Sequence, residues 1–88
     1  MEKSIKFTAE GRTTFRSLHI GIQKEIKSVL KQLALSEIKG KSLTGQLTGF
    51  STLRVGNHRV IYSESADMII VHRTSHREDV YNKRVSDK

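Results

Sequence analysis

With 88 residues the chain has room for a single domain, too small to combine a deep enclosed pocket with a packed core, so a surface groove is the expected seat of function. The absence of cysteine excludes disulfides, thiolate metal sites and cysteine nucleophiles; no apolar run reaches the length of a membrane span, and the start MEKSIKFTAEG does not resemble a signal peptide, so a soluble, cytoplasmic protein without membrane contact is expected. A formal net charge of +7 points to a polyanionic partner, either nucleic acid or an acidic protein that competes for the same surface.

In chain order, Ser4 to Thr8 alternates with Ile5 and Phe7 apolar, and reads as a strand. Thr8 is a candidate N-cap, and Glu10 puts a negative charge in the first turn of a short helix whose face carries Phe15 and Leu18. Gly21 is expected to separate it from a second helix over about Ile22 to Leu35. There Ile22, Ile26, Val29, Leu30 and Leu33 share one side, and Lys24, Lys27 and Lys31 occupy the other, which reads as a solvated face. Ser36 to Gly49, rich in Gly, Ser, Thr and Lys, reads as a long loop of the kind that often carries function. Phe50 to Val55, His58 to Glu64 and Met68 to Thr74 read as strands, the first two joined by the hairpin signal Gly56-Asn57. The polar ending is expected to form one helical turn or to fray. The reading is an α+β domain over residues 1–88 in the order β-α-α-β-β-β, a small antiparallel-meander sheet with two helices packed on one face.

The hairpin carries a geometric consequence. A two-residue turn at Gly56-Asn57 pairs Val55 with His58, Arg54 with Arg59 and Leu53 with Val60. Leu53, Val55 and Val60 then face the helices, and Arg54 and Arg59 stand across from each other on the opposite face. Like charges so placed are destabilising, yet two guanidinium forks on an open face make a good phosphate receptor. The next strand brings His72 and Arg73 alongside. Strict alternation points them to opposite faces, so at most one joins the arginine pair. His76 and Arg77 are expected just beyond that strand, with Tyr81 one helical turn later.

Arg, His and Tyr together suit RNA cleavage by attack of the ribose 2′-hydroxyl on its neighbouring phosphate. That reaction needs a proton acceptor, positive charge on the developing phosphorane and a proton donor for the leaving oxygen. No metal or other cofactor is expected, because His19, His58, His72 and His76 are scattered and Asp67, Glu78 and Asp79 show no ligand spacing. Read alone, Tyr81 is more readily a packing residue than a catalytic one.

The run LTGQLTGFSTLRVGNHRVIY followed by MIIVHRTSHREDVY resembles the RelE/ParE superfamily of toxins from type II toxin–antitoxin systems. It carries the superfamily's ordered features: a glycine-bearing loop, Arg54-Val55-Gly56, then His58-Arg59-Val60-Ile61-Tyr62, an apolar strand, and His76-Arg77 through Val80-Tyr81. The resemblance spans nearly the whole chain. For the RelE branch it implies a metal-independent endoribonuclease, an mRNA interferase that cuts mRNA on the ribosome and so inhibits translation. It gives Arg59 the scissile phosphate, Arg77 transition-state stabilisation or acid catalysis, Tyr81 RNA orientation or proton transfer, and His76 an acid/base role. Arg54 and Arg73 are the expected RNA-phosphate contacts. The implied partners are a cognate antitoxin, mRNA and the ribosome, with operator DNA for the toxin–antitoxin complex. A ParE-like inhibitor of DNA gyrase, or a non-catalytic antitoxin-binding member, shares the same pattern. The chain has Ser51 and Thr52 where some RelE members carry lysines, and only Ser75 and His76 where some carry further basic residues before the final tyrosine.

Overall fold

The computed structural model describes residues 2–76, so Arg77 and Tyr81 lie outside the described residues. Period-2 and helical patterning resolve into β1 (Ser4–Phe7), α1 (Ala9–Arg16), α2 (Ile20–Ala34), β2 (Lys41–Ser42), a single 3₁₀ turn (Gly45–Leu47), β3 (Ser51–Val55), β4 (His58–Glu64) and β5 (Met68–His76). The five strands form one sheet in the order β1-β5-β4-β3-β2. β2 to β5 pair antiparallel, whereas β1 runs parallel to β5, with Ile5 beside Ile69 and Phe7 beside Val71.

The first helix begins where expected. Thr8 leaves the strand in an extended conformation and its hydroxyl accepts the Gly11 N–H at 3.0 Å, satisfying one of the orphan donors of the first turn. Gly11 lets the start of this helix come close against the β5 backbone: a Cβ there would come 2.2 Å from the Val71 carbonyl oxygen. The second helix starts two residues earlier than its hydrophobic spacing predicts. Gly21 does not separate the helices; it sits in the first turn of α2, where its N–H donates to the His19 ring at 3.1 Å. A glycine costs little where the helix has only begun, and the histidine ring acts as the cap. At the other end, the Ser36 N–H reaches the Leu33 carbonyl and the Glu37 N–H reaches that of Gln32, a Schellman closure with Ser36 at φ 62°.

Phe15 from α1 and Ile26, Leu30, Leu33 and Ala34 from α2 close over Val55, Val60, Tyr62, Ile69 and Val71 of the sheet. Leu53, Val55 and Val60 therefore face the helices as expected. The hairpin register is also the one expected, Val55–His58, Arg54–Arg59 and Leu53–Val60, around a turn in which Gly56 has φ 61°. Asn57 is not among the positive-φ residues, so the turn has the sign pattern of type II′, in which only the first central residue needs glycine's freedom.

Three features of the sheet depart from the sequence reading. The expected loop from Ser36 to Gly49 contains β2, which pairs Lys41 with Thr52 and Ser42 with Ser51 at the sheet edge. β5 runs two residues further, so His76 is its last residue and pairs with His58 instead of following the strand. A bulge interrupts β5: Ile61 pairs with Arg73 and Tyr62 with Val71, leaving His72 as the extra residue.

Candidate nucleic-acid interface

The face of the sheet turned away from the helices is set by the fully buried Val60 and the nearly buried Tyr62 on the other side. The residues alternating with them, Arg59, Ile61 and Ser63, share the open face. Through the pairing they stand in rows with Arg54 and Ser75, with Lys41, Thr52 and Arg73, and with Ile70. Arg54 and Arg59 are direct partners, so their Cβ atoms are roughly 5 Å apart. Arg54 Nε is turned toward the hairpin, donating to the Gly56 carbonyl at 3.4 Å.

An open groove of about 420 Å³ runs over this end of the sheet, lined by Lys39, Gly40, Lys41, Thr52, Leu53, Arg54 and Arg59. Among the described residues, four cations and no carboxylate line it. The sequence reading found the two arginines and missed the two lysines. Their signal was the short Lys39-Gly40-Lys41 run inside the presumed loop, with spacing that puts both lysines on one side of an extended chain. Lys41 pairs with Thr52 on the adjacent strand.

Gly40 fixes this edge to the core. Its N–H donates to the Tyr62 hydroxyl at 3.0 Å, and the phenol itself is 1% exposed. Burial raises the Tyr62 pKa above the ordinary tyrosine value, the Glu64 charge adds to the rise, and the Gly40 and Ser51 hydrogen bonds oppose it. The hydroxyl therefore stays protonated at neutral pH.

Arg73 shares a row with Ile61, next to Arg59, but its guanidinium pairs with Glu10 of α1 at 3.4 Å. A phosphate would have to displace that exposed carboxylate. The bulge also overturns the expectation that His72 and Arg73 face opposite ways. The His72 Nε2 shares a 2.8 Å hydrogen bond with the Ser63 hydroxyl, and the ring meets Phe50 edge to face, with centroids 4.8 Å apart. Both residues therefore belong to the open side.

His76 falls elsewhere. Counting back from the Val60–Thr74 pair, it shares the side of Val60, and its ring stacks edge-on to His58 with centroids 5.0 Å apart. It stands at the hairpin end of the sheet, on the face opposite Arg59. The structure thus brings Arg54 and Arg59 together, sets Arg73 one row away, and separates His76 from them.

A second hollow of about 410 Å³ lies by the helices, with Phe7 and Phe15 against Arg12, Arg16, Gln23 and Lys27. Among the described residues no group of three or more His, Asp or Glu could hold a metal ion, and no helix is long and apolar enough to cross a membrane.

No protein-family model matches the chain, and no curated protein matches its sequence. Solved structures match its fold. The toxin–antitoxin complex RelBE2 from Mycobacterium tuberculosis contains a chain 22% identical with TM-score 0.79, the match covering 88% of this chain and 100% of that one. The RelB–RelE antitoxin–toxin complex from Methanococcus jannaschii gives 23% identity and TM-score 0.71 over 89% of this chain and 96% of that one. YafQ from E. coli strain BL21(DE3) gives 12% identity and TM-score 0.72 over 91% and 99%. The chain has the fold that these proteins share.

Proposed function

We propose that the chain is the toxin of a type II toxin–antitoxin pair and that it acts as a metal-independent endoribonuclease on ribosome-bound mRNA. The observation that carries this reading is the direct opposition of Arg54 and Arg59 on the sheet face that the described residues leave uncovered, inside a groove walled by Lys39 and Lys41. Like charges paired across two strands cost stability unless a polyanion neutralises them. A sheet with no such use for that face would be better served by threonine or valine at either position.

The chemistry follows from charge placement. Arg59 holds the scissile phosphate and, with Arg54, meets the negative charge that grows on the phosphorane as the 2′-oxygen attacks. Arg73 adds a third guanidinium when the RNA displaces Glu10. Arg77 and Tyr81 take the roles that the resemblance implies, transition-state stabilisation and the orienting or proton-transfer phenol. His76 keeps an acid/base role only where the RNA wraps round the hairpin end of the sheet, because the open face is closed to it. The likeness to structures described as toxin–antitoxin complexes supports an antitoxin partner. An acidic antitoxin segment seated in the basic groove would block substrate and neutralise the arginine pair together. The antitoxin complex is the species expected to meet operator DNA.

A reconstituted translation reaction tests the reading. Added protein is expected to halt translation and leave new 5′ ends in ribosome-bound mRNA, and Arg59→Ala is expected to lose at least 100-fold in cutting, the scale of one lost electrostatic stabiliser, with no fall in its thermal midpoint. Intact mRNA together with loss of gyrase supercoiling would overturn it in favour of the gyrase-inhibitor alternative.

A further inference from the structure

We propose that Lys39, just before the edge strand β2, and Lys41, its first residue, form a second phosphate subsite, so that the groove holds two linkages of one single-stranded RNA instead of one. This deepens the nuclease reading and rests on it for the identity of the polymer.

The placement argues for the subsite. β2 lies two strands from β4 and Lys41 is in register with Ile61, two residues from Arg59, so Lys41 stands about 12 Å from the Arg59 backbone across the sheet. A long flexible ammonium at that distance serves a different phosphate from the one gripped by the arginine forks. Both lysines are exposed and line the same groove, and neither is ion-paired among the described residues. Their positive charge is therefore available, unlike that of Arg73, which Glu10 engages, or of Lys3, which pairs with Glu64.

The segment is also held in place. Gly40, between the two lysines, donates to the buried Tyr62 hydroxyl, and a Cβ at this position would lie 2.2 Å from that hydroxyl and 2.7 Å from the Thr52 carbonyl oxygen. Only glycine lets the chain approach so closely. The lysines thus flank a fixed point anchored in the core. Lysines on an edge strand also discourage edge-to-edge association. That role would need neither an anchor at Gly40 nor a shared groove with two arginines.

The test is equilibrium binding of a single-stranded 2′-O-methyl oligoribonucleotide, which lacks the attacking hydroxyl and stays intact. A Lys39→Gln/Lys41→Gln double variant is expected to reduce the slope of log affinity against log salt by about 1.4, two phosphate contacts at about 0.7 each on a single strand. That corresponds to a loss of about 25-fold at 0.1 M salt, shrinking toward 1 M. Gly40→Ala keeps every charge but displaces the anchor, and is expected to lower both affinity and slope in the same direction. Unchanged affinity and slope in the double variant would overturn the subsite. So would a variant that binds the oligonucleotide normally and either self-associates or loses binding to poly-glutamate. The two readings fail separately: mRNA left intact by the parent protein sinks the nuclease while the lysine measurement still stands, and unchanged binding by the lysine variant sinks the subsite while cutting and its Arg59 dependence still stand.

Discussion

Along β4, neighbouring residues belong to different environments. Val60 and Tyr62 are 0% and 1% exposed under the helices, whereas Arg59 between the turn and Val60 looks onto the open groove. The two faces of the same strands are one residue apart in sequence and do opposite work. The helix side gathers apolar area and carries stability. The open side gathers like charges, which work against stability unless a polyanion is present. A single two-residue turn sets both, since shifting the register by one residue would exchange the faces. Stability and function should therefore separate by face under mutation.

The largest effect is expected on the helix side. Leu30→Ala removes a side chain that is 1% exposed and should cost about 2–5 kcal/mol, which a thermal melt will show as a fall on the order of 10 °C or more. The folded fraction should keep the parent's salt slope for RNA. A changed slope would mean that the faces are coupled.

Tyr62 ties the core to the groove through its bond from Gly40. Tyr62→Phe leaves the Gly40 N–H without its acceptor, and should cost about 1 kcal/mol at neutral pH in urea unfolding. Because the folded-state pKa of Tyr62 is raised, chiefly by burial, the unfolded chain loses this proton first. The stability linked to it is complete below the ordinary tyrosine value near 10 and is lost as pH climbs beyond it. The parent should weaken above about pH 10 and the phenylalanine variant should lack that component. Parallel alkaline curves would refute the assignment.

The smallest effect has the opposite sign. Arg54→Thr relieves the facing charges and should stabilise the fold by a few tenths of a kcal/mol, an advantage that fades with added salt, while RNA affinity falls. A loss of stability in that variant would remove the physical basis for reading the arginine pair as a site.

Much of this was legible in advance because it rests on local signals. Thr8 caps α1 by its own hydroxyl, Gly56-Asn57 makes a turn from its own backbone freedom, and the hairpin register follows within a few residues. The Lys39–Lys41 edge was not legible. Its two-residue strand exists only because β3 offers Ser51 and Thr52 as partners and Tyr62 offers a hydroxyl, 22 residues away from Gly40. The bulge at His72 was equally hidden, since alternation assumes an unbroken ladder, and it returned both His72 and Arg73 to the open side.

By itself the sequence determined the helices, the central hairpin and the opposed Arg54 and Arg59, because turn chemistry and the periods of helix and strand act between near neighbours. Tertiary structure alone decided that β1 runs parallel to β5, that Lys39 and Lys41 complete the groove, and that His76 ends on the far face from Arg59. Those outcomes depend on which distant strands hydrogen-bond and where a ladder slips, and no local pattern encodes either.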